Sequence, residues 1–156
     1  CTNKREAFIV KRANKLNIPV YIFTKYELNN FVDLHKKLQS NGVDIVILAG
    51  FLLKIPTIMV DSYPNRIINI HPSLLPKYGG KGMYGSNIHK SVIENKETES
   101  GISVHFVNQN YDEGKIILQE KCDVSNNETV ETLIQKIHKL EHNYFPAAIE
   151  ETLKAL

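Results

Sequence analysis

Cysteine is scarce in this chain of 156 residues, and its two cysteines, Cys1 and Cys122, form neither a CxxC pair nor a disulfide framework. Such usage is typical of a reducing compartment, so we expect a cytoplasmic location. No apolar run reaches the ~20 residues of a membrane-spanning helix, and we therefore expect no membrane association. The formal net charge is only +2 and no block of Lys and Arg stands out, which argues against a nucleic-acid partner.

Motifs of several well-known catalytic sites are also absent. The sequence has no HExxH motif and no other two-histidine-plus-carboxylate spacing, so we expect no metal site. It has no GxSxG motif for a serine nucleophile. The glycine-rich run 79–82 does not match a phosphate-binding P-loop, because Lys81 is followed by Gly82 rather than by Ser or Thr.

The residues that are present suit one globular domain that spans residues 1–156. Hydrophobic residues make up 42% of the chain and charged residues 23%, close to the averages for globular proteins. Helical and strand patterns alternate, and the middle strands are continuous apolar runs. These features predict an α/β fold, with a mostly parallel twisted sheet and helices on both faces. The last two predicted strands are close in sequence, which permits antiparallel pairing between them.

The pattern of apolar residues gives the predicted elements. The predicted helices are residues 5–16, 27–40, 54–62, 85–95 and a long C-terminal helix that follows a capping-box signature at Ser125 and is bent or broken at Pro146. The predicted strands are residues 18–23, 44–50, 66–70, 101–107 and 114–124. Residues 72–84 are predicted to form a loop, since they contain two prolines and three glycines.

Polar residues lie near the ends of two predicted strands. Asn69 and His71 lie at the end of the third, and His105 and Asp112 lie near the end of the fourth and just after it. Ligands of such sheets bind beyond the carboxyl ends of the strands, so we expect these side chains to meet there. An amide and an imidazolium can stabilise an oxyanion, and a carboxylate can orient a histidine and relay a proton. Such a set suits group transfer in which a substrate supplies the nucleophile.

Each of these residues also has a purely structural interpretation. Asn69 would serve as a cap at a strand end, and Asp112 would serve as a turn residue before Gly114. A lone histidine near a strand end is more often a satisfied core or surface residue than a catalytic one. Composition and spacing alone leave both interpretations open.

Three segments of the chain resemble the formyltetrahydrofolate-dependent transferase family. They are "AGF" at 49–51, "NIHPSLLPKY" at 69–78 and "SVHFVNQNYDEGKIILQ" at 103–119. The resemblance extends from Asn3 essentially to the C-terminus, and it is greatest to members that formylate glycinamide ribonucleotide. The segment "KYGGKGMYGSNIH" at 77–89 is longer than the corresponding loop of many members, so contacts expected in that loop do not transfer from the family.

The resemblance implies a Rossmann-like formyltransferase fold and a reaction in de novo purine biosynthesis. A formyl group would pass from 10-formyltetrahydrofolate to the amine of glycinamide ribonucleotide, with Asn69, His71 and Asp112 as the catalytic residues. The implied folate-binding residues are Leu52, Leu53, Lys54, Ile55, Asn69, Asn108, Gln109, Asn110, Tyr111 and Asp112. The implied ribonucleotide-binding residues are His138, Lys139, Leu140 and Glu141.

Two alternatives to formyl transfer remain open within the resemblance. In a formyltetrahydrofolate deformylase the same three residues would activate water and release formate. Deformylases usually have a second histidine where this chain has Pro72, which favours transfer. The family's glycine-rich phosphate loop has no counterpart in this sequence, so we expect a strand, loop and helix of about 30 residues before Cys1. Without such a unit, a non-catalytic folate-binding domain would be the alternative. An oligomeric assembly is compatible with formyl transfer and with both alternatives.

Overall fold

A computed structural model describes residues 1–155 as a four-stranded sheet between helices. The helices are α1 (Phe8–Lys15), α2 (Lys25–Asn30), α3 (Val32–Ser40), α4 (Thr57–Ser62), α5 (Ser86–Glu94) and α6 (Val130–Ala155). The strands are β1 (Val46–Leu48), β2 (Ile67–His71), β3 (Glu99–Phe106) and β4 (Ile116–Asp123). The four strands lie within or across the ranges predicted for the last four strands, which confirms those strand predictions.

The sheet has the order β1-β2-β3-β4 and is mixed. The strands β1 and β2 are parallel, whereas β2 pairs antiparallel with β3 and β3 pairs antiparallel with β4. The α/β class is confirmed, and so is the antiparallel pairing of the last two strands. The antiparallel pairing of β2 with β3 was not predicted, because a continuous apolar run indicates burial on both faces and does not fix strand direction.

Alternate residues of β2 face two separate hydrophobic cores. Ile67 packs with Leu28 and Met59 in the core that α2, α3 and α4 cover, which we call the α2–α4 core. Ile68 packs with Ile137 in the core that α5 and α6 cover, the α5–α6 core. Because successive side chains of a strand point to opposite faces, this division confirms that helices cover both sides of the sheet.

The segment predicted as a first strand, residues 18–23, forms only an isolated bridge. Thr2 N–H donates to the carbonyl of Tyr21 at 3.0 Å, and Phe23 N–H donates to the carbonyl of Thr2 at 3.0 Å. The aromatic residue of the segment, Phe23, is instead buried in the α2–α4 core. Within residues 1–155 its backbone pairs with a strand partner only at Thr2, so the prediction of a strand is wrong for this part of the chain.

The predicted helix over residues 27–40 is two helices that meet at Phe31. The backbone of Phe31 is left-handed, with φ at 56°, and this conformation ends α2 before α3 begins. The side chain of Phe31 is fully buried and stacks on the ring of His35 with 5.0 Å between ring centroids. Burial of that ring offsets the cost of a left-handed backbone, about 1–2 kcal/mol. The apolar spacing continues through the break, which is why the sequence predicts one helix.

The long C-terminal helix begins one turn later than its capping signature predicts. Ser125 lies outside α6, and Thr129 caps the helix instead by accepting the N–H of Thr132 at 3.2 Å. The helix was predicted to be bent or broken at Pro146; it continues through that residue and is not broken there. Among residues 1–155, no helix combines the length and the apolar character needed to cross a bilayer.

Candidate active site

Two antiparallel strands bring the first pair of polar side chains together. The register of β2 and β3 places Asn69 opposite His105, and the amide Nδ2 of Asn69 lies 3.1 Å from Nε2 of His105. By strand alternation, Asn69 and His71 share the face of β2 that carries Ile67. The predicted meeting of these residues therefore occurs, but through cross-strand pairing rather than through a shared carboxyl edge of parallel strands.

Asp112 completes the cluster from the turn that connects β3 to β4. One carboxylate oxygen, Oδ1, lies 3.6 Å from Nδ1 of His71 and 3.7 Å from Nε2 of His105. The other oxygen, Oδ2, accepts the N–H of Gly80 at 2.9 Å. The backbone of Asp112 is left-handed, a conformation that Asp adopts more readily than most residues do. This single carboxylate therefore contacts β2, β3 and the loop that follows β2.

Gly114 allows the turn that carries Asp112 to lie against β3. A Cβ atom at Gly114 would lie 1.6 Å from the carbonyl oxygen of Phe106, which no side chain could occupy. The close approach brings the turn beside the end of β3, where His105 lies. The structural interpretation of Asp112 as a turn residue thus holds, and the same turn also aims its carboxylate at two imidazoles.

The hydrogen bonds of His71 assign its protons. Its Nε2 lies 2.8 Å from the carbonyl oxygen of Tyr78, and a carbonyl oxygen can only accept, so Nε2 carries a proton. The neutral ring then has its lone pair on Nδ1, the atom that faces Asp112. Protonation at Nδ1 would place an N–H toward the carboxylate. His71 is consequently arranged to take up or release a proton on the side of Asp112.

His105 has the opposite arrangement. Its Nδ1 lies 2.9 Å from the carbonyl oxygen of Phe106 and donates to it, so the neutral ring accepts the Asn69 amide at Nε2. Burial lowers the pKa of His105, against the opposing effects of the Phe106 carbonyl and the Asp112 carboxylate. The neutral form is therefore favoured. It accepts one N–H of Asn69, and within residues 1–155 the second N–H has no partner and is available to a ligand.

A pocket lies beside this cluster. Its wall is formed by Leu48, Phe51, Lys54, Ile55, Asn69, His105, Val107, Asn108, Asn110, Tyr111 and Asp112. The wall combines apolar side chains with amides and a carboxylate, as small-molecule sites commonly do. Among residues 1–155, no group of three or more His, Cys, Asp or Glu side chains is arranged to hold a metal ion.

Most residues predicted to bind the folate line this pocket. Those on its wall are Lys54, Ile55, Asn69, Asn108, Asn110, Tyr111 and Asp112. The other three lie off the wall: Leu52 is exposed, Leu53 packs against the α2–α4 core, and Gln109 reaches toward Asp61.

The residues predicted to bind the ribonucleotide occupy one turn of α6. Successive helical residues are rotated by about 100°, so four in a row cannot face one ligand. Leu140 packs against the α5–α6 core, while His138 and Lys139 are exposed. Glu141 is half-buried, and burial raises the pKa of its carboxyl group, against the opposing charges of His138 and His142.

His89 of α5 is a buried histidine that the sequence does not single out. Only 5% of its surface is exposed, and its Nδ1 has no hydrogen-bond partner within residues 1–155. Burial lowers its pKa, and the positive charges of His138 and His71 act in the same direction. The histidine lies within a helical pattern and outside any motif, so its burial near those rings becomes visible only in three dimensions.

The chain is similar to known formyltransferases in sequence and in structure. The family described as formyl transferase matches residues 1–149. The chain is 40% identical to the chloroplastic phosphoribosylglycinamide formyltransferase of Arabidopsis thaliana, over 98% of this chain and 56% of that protein. It is 33% identical to the phosphoribosylglycinamide formyltransferase of Bacillus subtilis, over 97% of this chain and 77% of that protein. The chain thus spans about half the length of the plant relatives.

The structural comparison agrees with the sequence comparison. The crystal structure of phosphoribosylglycinamide formyltransferase from Bacillus halodurans is similar with a TM-score of 0.87 at 30% identity. The alignment covers 97% of this chain and 77% of that one. The predicted formyltransferase-type Rossmann-like fold is therefore confirmed.

The buried state of His89 predicts how stability depends on pH. Its pKa is lowered in the folded state. Below the ordinary value of about 6.5 the unfolded chain therefore binds more protons, and the free energy of unfolding falls as the pH drops. We expect the variant His89→Asn, which cannot titrate, to show a shallower loss of stability between about pH 7 and 5. Urea denaturation at several pH values measures this slope. Equal slopes in the two proteins would contradict the prediction.

Proposed function

The chain belongs to the formyl transferase family, and on this premise we propose that it transfers a formyl group from 10-formyltetrahydrofolate to the amine of glycinamide ribonucleotide. The names of the Arabidopsis and Bacillus relatives support this choice of substrates. The observation that carries the proposal is the Asp112 carboxylate between two imidazoles, beside a free Asn69 N–H at the pocket. Serine, threonine and cysteine are absent from the described pocket wall, which suits a nucleophile supplied by a substrate.

The proposed reaction forms one carbon–nitrogen bond and breaks another. The amine of the ribonucleotide attacks the formyl carbon, and the tetrahedral intermediate collapses with loss of the folate nitrogen. A proton must leave the attacking amine, and a proton must reach the departing nitrogen. The free N–H of Asn69 would stabilise the oxyanion, and a protonated His71 would add positive charge. Asp112 would orient His71 and relay the proton, since its carboxylate faces Nδ1 of that ring.

The two substrates would bind on different walls of the site. We propose that the folate occupies the pocket whose wall includes Lys54, Asn108 and Tyr111. The ribonucleotide amine would approach from α6, where the half-buried Glu141 offers a carboxylate. A cytoplasmic location stays a prediction.

An assay of the full-length protein tests the proposed function. We expect loss of the formyl group from 10-formyltetrahydrofolate only when glycinamide ribonucleotide is present, with formylated ribonucleotide as the product. The absorbance change of the folate and chromatography of the ribonucleotide measure the two halves of the reaction. Release of free formate at the same rate without ribonucleotide would show that water is the acceptor and that the protein is a hydrolase.

Removal of the Asn69 amide tests its role in the pocket. If the amide stabilises the oxyanion, Asn69→Ala should lower kcat by about 10²–10³-fold, because this bond strengthens as negative charge develops. Steady-state kinetics with both substrates measures kcat and KM separately. Asn41→Ala, at an exposed position after α3, is a matched control that should retain the wild-type rate. A near-normal kcat for Asn69→Ala would remove Asn69 from the catalytic residues.

A further inference from the structure

A second polar cluster lies between the sheet and the loop that follows β2. Ser103 of β3 is completely buried, and its hydroxyl donates to the carbonyl oxygen of Ser73 at 2.6 Å. The same hydroxyl accepts the N–H of Leu75 at 2.9 Å and the side-chain amide of Gln119 at 2.8 Å. The Gln119 amide also donates to the carbonyl oxygen of Leu75 at 2.9 Å. Two strands therefore hold the loop by its backbone at Ser73 and Leu75.

The hydrogen-bonding capacity of this cluster is fully used. A hydroxyl has one donor and two acceptor sites, and Ser103 employs all three. The side-chain amide of Gln119 has two N–H groups, and each has a partner. A fully connected polar network of this kind specifies one arrangement of its members, and a network with one missing donor leaves acceptors unpaired.

The loop that this cluster holds also contacts the candidate catalytic residues. A few residues after Leu75, the carbonyl oxygen of Tyr78 accepts the Nε2 proton of His71. Two residues further on, the N–H of Gly80 donates to the carboxylate of Asp112. In both contacts the loop offers only backbone atoms, so the position of the backbone determines whether the bonds form. Gln119 is therefore connected to His71 and Asp112 through its hydrogen bond to Leu75, a few residues of loop backbone, and the hydrogen bonds of Tyr78 and Gly80.

We propose that Gln119 is a positioning residue for formyl transfer. It holds the loop whose backbone orients His71 and Asp112. The expected effect of Gln119 variants on the rate rests on the proposed function. The orientation and tautomer of His71 can be measured without any substrate. Gln119 itself is not on the wall of the pocket beside Asn69 and Asp112. It lines a separate pocket with Lys77 and Lys121, so it does not act on the reacting atoms.

The exposure of Gln119 makes the proposal testable. Gln119 is an exposed residue, and its amide nitrogen donates to Leu75 of the loop and to Ser103 of β3. The variant Gln119→Leu removes both donors and keeps the size of the side chain. Lys121→Leu is the matched control, because Lys121 is two residues along β4 on the same face, lines the same pocket and pairs with Glu99 rather than with the loop. The variant Gln119→Glu is almost identical in shape and replaces the amide donors with a carboxylate, which can only accept.

The first readout is the tautomer of His71, observed by two-bond nitrogen–proton NMR at a pH where the ring is neutral. We expect the wild-type protein and Lys121→Leu to show the single tautomer with the proton on Nε2. Gln119→Leu and Gln119→Glu should show a mixture with the Nδ1 tautomer, because the Tyr78 carbonyl is no longer fixed. A general loss of stability would change the unfolding midpoint without changing this signal in the folded protein.

The second readout is the kinetics of the full-length protein. We expect Gln119→Leu to lower kcat about 10- to 100-fold with a smaller change in KM, because a displaced catalytic group affects the transition state most. An unchanged His71 tautomer in both Gln119 variants would overturn the proposal whatever the rate does. A tautomer mixture in Lys121→Leu would overturn it too. Failure of the wild-type protein to transfer formyl would refute the proposed function, and the NMR signal would still decide the role of Gln119.

Discussion

The carboxylate of Asp112 is the group on which the arrangement of the site depends. Only 14% of its side chain is exposed, so its charge must be met by neighbouring groups rather than by water. The Gly80 N–H donates to one carboxylate oxygen, and protonation of His71 at Nδ1 places a second donor beside the other oxygen. These donors come from the loop and from β2, and displacement of either would leave the carboxylate less well compensated.

The backbone around Asp112 is shaped to permit this convergence. Gly114 lets the turn lie against the carbonyl of Phe106, and Gly79 lies against the Asp112 side chain, where an added Cβ would be 3.3 Å away. Ser103 and Gln119 also hold the backbone of the loop through three hydrogen bonds, and a fourth hydrogen bond joins their side chains to each other. The site is therefore built as a carboxylate inserted between a fixed strand pair and a fixed loop. Such preorganisation is what stabilisation of a developing charge requires.

Some of this arrangement is accessible from sequence, and the reasons differ from residue to residue. Asn69, His71 and Asp112 are indicated by their positions near strand ends and by the resemblance to the formyltransferase family, and most of the helices and strands follow from apolar periodicity. The antiparallel pairing of β2 with β3 cannot be predicted in this way, because an apolar run is the same for a parallel and an antiparallel strand. The contacts from Tyr78 and Gly80 also escape prediction, since backbone groups, which every residue carries, make them. The break at Phe31 is hidden because its side chain keeps the helical spacing.

We propose that Asp112 and His71 act as one unit in catalysis. A double-mutant cycle on kcat with Asp112→Asn, His71→Asn and the double variant measures this directly. Residues that act as a unit have strongly non-additive effects, so the double variant should be about as slow as the slower single variant. If the rate losses instead multiply in the double variant, the two side chains act independently, and the coupling of His71 to Asp112 plays no part in catalysis.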